Sequence, residues 1–128
     1  MIVFCRSIIV LALFGIIGCS NQIDRSLLVG KYIANHGKGV DTLELKSDGT
    51  YFYYYRSVDG KELTNTNQWK FDYQDKEPRI TFEKFIFGLP GYGVNVPGFW
   101  DVKIESSGKT IRFCIDPDLN YYFEKQRP

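Results

Sequence analysis

The chain has 128 residues, of which 44% are hydrophobic, 24% charged and 16% aromatic, and its formal charge is +1. That length fits one domain and excludes a multidomain machine. The apolar and aromatic content excludes a disordered chain. The near-zero charge excludes a nucleic-acid binder driven by gross phosphate attraction.

The N-terminus reads MIVFCRSIIVLALFGIIGCS, with Arg6 as its only charge. Ile8 to Gly18 is an unbroken apolar run of eleven residues. Such a run matches a signal-peptide core and is short of the roughly 20 residues that span a bilayer. It ends in Ile16-Ile17-Gly18-Cys19-Ser20. This junction resembles the bacterial lipobox, in which an aliphatic and then a small residue precede Cys. The resemblance implies that residues 1–18 are a lipoprotein signal peptide. It implies that the Cys19 thiol carries diacylglycerol and that Cys19 begins the mature chain. No cofactor is expected beyond this covalent lipid. Two other readings stand beside it: a cleaved signal without lipid, and an uncleaved anchor starting at Ile2. The anchor would carry Arg6 inside the span, which costs about 2.5–3.5 kcal/mol at the centre and less near the end.

Two or three acyl chains would hold the protein almost permanently, since each buried CH₂ contributes about 0.8 kcal/mol. Ser20 follows the lipid site, where Asp would mark retention in the inner membrane. The resemblance therefore implies a bacterial envelope protein on the outer membrane, facing the periplasm. Without residues 1–18 the chain has 110 residues, no net charge and 19 of its 21 aromatics. Cys5 is lost with the signal, so Cys19 and Cys114 remain. A lipid on Cys19 leaves no intramolecular disulfide, despite an oxidising compartment.

Residues 19–26 read as the lipidated Cys and a polar tether, and residues 27–128 as the folded domain. Gly30–Asn35 reads as a first strand. In Val40–Lys46, Leu43 and Leu45 share one face. Asp48-Gly49 is a hairpin signal. Tyr51–Ser57 follows, with Tyr51, Tyr53 and Tyr55 on one face. Asp59-Gly60 turns again. Gln68–Tyr73 groups Trp69, Phe71 and Tyr73, and residues 74–78 break that strand. Arg79–Phe87 places Ile80 and Phe82 together. After a Gly/Pro-rich loop, Phe99–Glu105, Thr110–Asp116 and Tyr121–Lys125 complete about eight strands. No stretch sustains a 3.6-residue period. Short connections between successive strands predict an all-β, up-and-down antiparallel meander, and closure into a barrel removes its edges.

Leu28-Val29-Gly30-Lys31-Tyr32 is similar to the Gly-x-Trp opening of lipocalins and related calycins, with Tyr32 where the Trp would be. Leu43 to Tyr51 and the Trp69 strand look like those of small bacterial lipocalin-like lipoproteins. The resemblance covers Leu27 to Gln126. It implies a C-terminal Arg lying over the first-strand ring, for which Arg127 and Arg112 are the available residues.

Little here points to catalysis. His36 is the only histidine, and it reads as a solvent-exposed loop residue. A catalytic role would need a partner such as Asp41. One His without Cys or His companions makes no ordinary zinc site, so no metal is expected. Asp116-Pro117-Asp118 looks like the start of a calcium loop, but Tyr121 and Arg127 stand where Gly and Glu are needed, so a turn is expected. Cys114 reads as a buried or half-buried small residue. Nucleophile-elbow, metalloprotease and phosphate-loop motifs are absent from the sequence. The expectation is a non-catalytic binding module for a small apolar ligand or an envelope partner. The alternative is a structural or interaction lipoprotein whose barrel is filled.

Two features could carry binding. The ladder Tyr51, Tyr53, Tyr55 suits a pocket wall or an interface, and equally a plain β-surface. The uncharged loop Phe87–Phe99 holds Leu89, Tyr92 and Val94. It reads as a lid or partner-binding loop, or as an Ω-type loop folding its own apolar residues over the barrel end. If half of the aromatics point inward, nine or ten rings compete for an interior that side chains of eight strands just fill. Cells fed labelled palmitate are expected to label the wild-type chain and not Cys19→Ser; equal labelling of both would overturn the lipid anchor.

Overall fold

A computed structural model describes residues 22–92, 97–108 and 110–128. The expected signal peptide (residues 1–18), Cys19 and Val94 lie outside the described residues. The strands are β1 (Gly30–Ala34), β2 (Val40–Leu45), β3 (Thr50–Arg56), β4 (Glu62–Gln74), β5 (Glu77–Phe85), β6 (Gly98–Ser107), β7 (Thr110–Asp116) and β8 (Tyr121–Lys125). Each pairs antiparallel with the next, and β8 returns to β1 to close the barrel. This is the expected eight-stranded meander, with a lipocalin-like architecture.

Turn chemistry explains where the strands end. Asp48 Oδ1 accepts from the Thr50 backbone N–H at 2.9 Å, and Gly49 takes φ +89° beside it. The break between β4 and β5 is only Asp75-Lys76, both with positive φ. That is the double left-handed geometry of a type I′ hairpin, made here without glycine. Pro78 lies within β5 rather than ending it. β4 is much longer than the sequence suggests. Its first half, Glu62–Gln68, shows no apolar alternation, yet it pairs with β3 along its whole length.

One short helix, α1 (Arg25–Leu28), precedes the strands, with Asp24 as its N-cap. It lies at the near end of the barrel, where the chain enters. Leu28 is fully buried there. The Tyr32 hydroxyl donates to Leu28 O at 2.7 Å, and the Tyr73 hydroxyl donates to Ile23 O at 2.8 Å. The Arg25 guanidinium sits 4.3 Å from the centre of the Trp69 ring and donates to Ser47 O. Lys125 Nζ donates to Leu27 O. The stretch expected as a tether is therefore tied to the barrel from Ile23 onward. The arginine-on-aromatic contact implied for Tyr32 falls elsewhere. Tyr32 stacks on Phe113 at 4.6 Å, and Arg112 lies over Tyr122 while pairing with Glu124.

Among the described residues, nine aromatic side chains are buried inside: Tyr32, Tyr51, Tyr53, Tyr55, Trp69, Phe82, Phe85, Phe113 and Phe123. Tyr51 packs on Phe82 and Phe85, Tyr53 on Phe85 and Phe123, and Phe82 on Phe113. Trp100 and Phe87 join this set at the far end, where β1–β2, β3–β4, β5–β6 and β7–β8 connect. Gly88 lies flat on the Tyr55 ring, and a Cβ there would stand 2.1 Å from Tyr55 Cγ. Gly88→Ala is expected to destabilise the fold by about 2 kcal/mol, the usual cost of overpacking. A lower urea midpoint at unchanged slope would show this; an unchanged midpoint would mean that the far-end segment shifts freely.

Candidate functional site

The far end collects most of the residues singled out in the sequence. Asp41 stands directly opposite Tyr55 across the β2–β3 ladder, so both side chains point inward. Asp41 is the one charged side chain among the buried residues described. Its partner is His36, which is not the solvent-exposed residue expected: the imidazole is 1% exposed and the carboxylate 2%. Gly37 and Gly39, at φ +69° and +84°, fold the β1–β2 connection back and carry His36 over Asp41. Gly39 has no room for a side chain, because a Cβ would lie 2.2 Å from Arg56 O.

The hydrogen bonds determine the histidine tautomer. His36 Nδ1 accepts the Lys38 backbone N–H at 2.9 Å, so the ring proton sits on Nε2. Nε2 then donates to Asp41 Oδ2 at 2.8 Å. Asp41 Oδ1 has no hydrogen-bond partner. Burial pushes the Asp41 carboxyl above its usual range, partly offset by His36 and by the nearby Tyr53 hydroxyl. The Tyr121 ring packs edge-on to His36, and Lys38 Nζ lies over its face.

The three tyrosines are interior, not part of a plain β-surface. The Tyr51 hydroxyl donates to Glu83 O at 2.6 Å and accepts from Asn65 Nδ2, and burial pushes its pKa up to about 12. Tyr53 accepts the Gly88 backbone N–H at 3.0 Å and is raised much further, chiefly by burial and then by the Asp41 charge. Tyr55 is raised by burial too. These phenols stay neutral and act as donors, acceptors and packing surface.

Within the Phe87–Phe99 loop, residues 87–92 fold against the barrel end, while residues 97–99 are exposed. Leu89 is buried, and Phe87 packs on Phe85 and Trp100. The Tyr92 hydroxyl donates to Asp116 Oδ2 at 2.8 Å, a bond that raises its pKa to about 12. Asp116 Oδ1 accepts from the Asp118 and Leu119 amides. The Asp-Pro-Asp stretch is therefore an Asx-type turn that also holds the loop down. Cys114 is half-buried, and burial raises its thiol.

Beside this cover runs a cleft of about 400 Å³, lined by Tyr55, Leu63, Phe87, Gly88 and Pro90, with Asp59, Lys61 and Glu62 at its rim. The far end also carries the most exposed large apolar residues among those described: Val58 at 87% and Leu119 at 55% on connections, and Phe99 at 78% at the start of β6. The structure thus unites Tyr55 and Leu89 with Tyr53 and Tyr92 at one end, and places Tyr51 deeper. Asp41 was named from sequence only as a partner His36 would need, and Leu63 not at all. Comparison with protein-family models, with curated proteins and with solved structures finds no match.

The Asp41 shift carries a sign that can be checked. A carboxyl raised in the folded chain favours folding most where it is protonated, below its ordinary value of 3.8. That contribution is lost as pH rises through the raised value. The stability of wild type relative to Asp41→Asn is therefore expected to grow on going from about pH 7.5 to about pH 4.5. Urea midpoints of the two proteins at each pH would show it; a difference that stays constant or shrinks would contradict the raised pKa.

Proposed function

We propose that this chain is a lipid-anchored, non-catalytic binding module of the bacterial cell envelope, and that its partner is a protein. The anchor is Cys19, and the binding surface is the far end. The reading rests chiefly on the filled interior. The tyrosine ladder that could have lined a ligand cavity is packed against Phe82, Phe85 and Phe123. A small apolar ligand would have to displace these rings and forfeit their contacts, so a barrel-carrier role fits poorly.

Geometry at the two ends supports the same division of roles. Only Ser20 and Asn21 separate Cys19 from Gln22, and Ile23 is already held by Tyr73. Three Cα steps reach at most about 11 Å. A lipid on Cys19 would keep the near end at the membrane and turn the far end toward the periplasm. There Val58 and Leu119 on two connections and Phe99 at the start of β6 are the most exposed large apolar side chains described, ahead of Leu27 at the near end. Such exposed apolar groups favour a protein contact over plain solvation.

A photo-crosslinking residue at Val58 or Leu119 is expected to capture one discrete envelope protein in living cells. The same residue on the near-end position Lys76 should not capture it. Equal patterns from both ends would overturn the reading. So would a reproducible small-molecule mass on the purified chain in native mass spectrometry, with no protein crosslink.

A further inference from the structure

Closure of a β-barrel normally uses up every strand edge. In this barrel β4 changes neighbours partway along. Glu62–Gln68 pairs with β3, and the ladder with β5 begins only at Trp69 opposite Phe82. Past Phe82, β5 makes no ladder with β4. In its pairing with β6 the register of β5 slips between Phe82 and Phe85, and Lys84 takes φ +50° within the slip. A bulge of this kind bends its strand and ends pairing on one side.

What spans the resulting seam is a side chain. Asn65 Nδ2 donates to Lys84 O at 2.7 Å and to the Tyr51 hydroxyl at 3.2 Å. A side-chain amide here stands in for the main-chain bonds that elsewhere join strands about 4.8 Å apart. Beyond Asn65, toward the far end, the seam meets the cleft of about 400 Å³ walled by Leu63, Phe87 and Pro90. Among the described residues no strand pairs with the cleft-side edge of Glu62–Thr64.

We infer that this seam takes an extended peptide segment of a partner protein, added as a strand along the free edge of β4. The edge chemistry selects the occupant. A row of alternating N–H and C=O groups is matched by another extended backbone and by little else. Side chains on one face of that peptide meet the apolar wall of Leu63, Phe87 and Pro90. Lys61 and Glu62 at the rim meet its flanking charges. The inference rests on the reading of this chain as a protein-binding module, and it names the form that the partner presents.

The probe is a random octapeptide library selected on the detergent-solubilised full-length chain. Enriched octapeptides are expected to slow exchange of the edge amides within Glu62–Thr64 by about tenfold or more, as a newly protected edge does. N-methylation at alternate amides should weaken binding by about tenfold, the loss of one main-chain hydrogen bond. Methylation of the intervening amides should change it little. Leu63→Asp should abolish binding; exchange and N-methylation on the wild-type chain decide the matter should that variant not fold. Failure to enrich any octapeptide, binding indifferent to N-methylation, or protection confined to other residues would overturn the seam. Far-end crosslinks that persist in that case would leave the partner reading standing, whereas loss of both would remove it.

Discussion

Packing of aromatic rings against one another inside the barrel is the constraint on which the rest of this structure depends. From Tyr32 through Phe113 and Phe82 to Tyr51, Phe85, Trp100 and Phe123, each ring touches the next. Such pairs add about 0.5–1.5 kcal/mol each beyond the area they bury. With one free cysteine among the described residues, the domain has no disulfide to draw on there. Stability must come from this interior. If the chain binds a protein as proposed, a filled barrel leaves its connections and edges as the surfaces to do so.

Polar groups within that interior are confined to its ends and its seam. The Tyr51 and Tyr32 hydroxyls reach main-chain carbonyls, so large rings are buried without stranding their oxygens. Asp41 is the exception, with one oxygen satisfied by His36 and the other by nothing. A buried carboxylate is weak evidence of stability, because desolvation offsets its attraction to a partner. Its effect here is to fix the path of the β1–β2 connection, since His36 reaches it only when Gly37 and Gly39 take left-handed backbone.

The sequence made some of this legible and hid the rest for physical reasons. β2, β6 and β7 alternate apolar and polar residues because one face is buried and the other wet, and that periodicity is local. The first half of β4 has Leu63, Asn65 and Asn67 on its half-buried face. Polar residues at these positions erase the alternation, for the same reason that the strand lacks a second neighbour there. The Asp75-Lys76 turn lacks the glycine that advertises such turns, which displaced the predicted start of β5. Burial of His36 could not be read locally, because it depends on where Asp41 and Tyr121 are carried by other strands. The inward set of the Tyr51–Tyr53–Tyr55 ladder likewise depends on which face the barrel closes around.

The closing contact between β1 and β8 has a bearing on how such a chain is made. Every other strand pair joins neighbours in sequence, whereas Tyr32 finds Lys125 from the opposite end of the domain. Joining distant segments is entropically costly and comes late when local hairpins form first. α1 gains its Lys125 contact only after that closure, so the near end cannot be completed before the last strand arrives. A chain threaded across a membrane from its N-terminus would emerge with β1 first and β8 last. In such a chain the barrel would stay incomplete until its last strand had emerged.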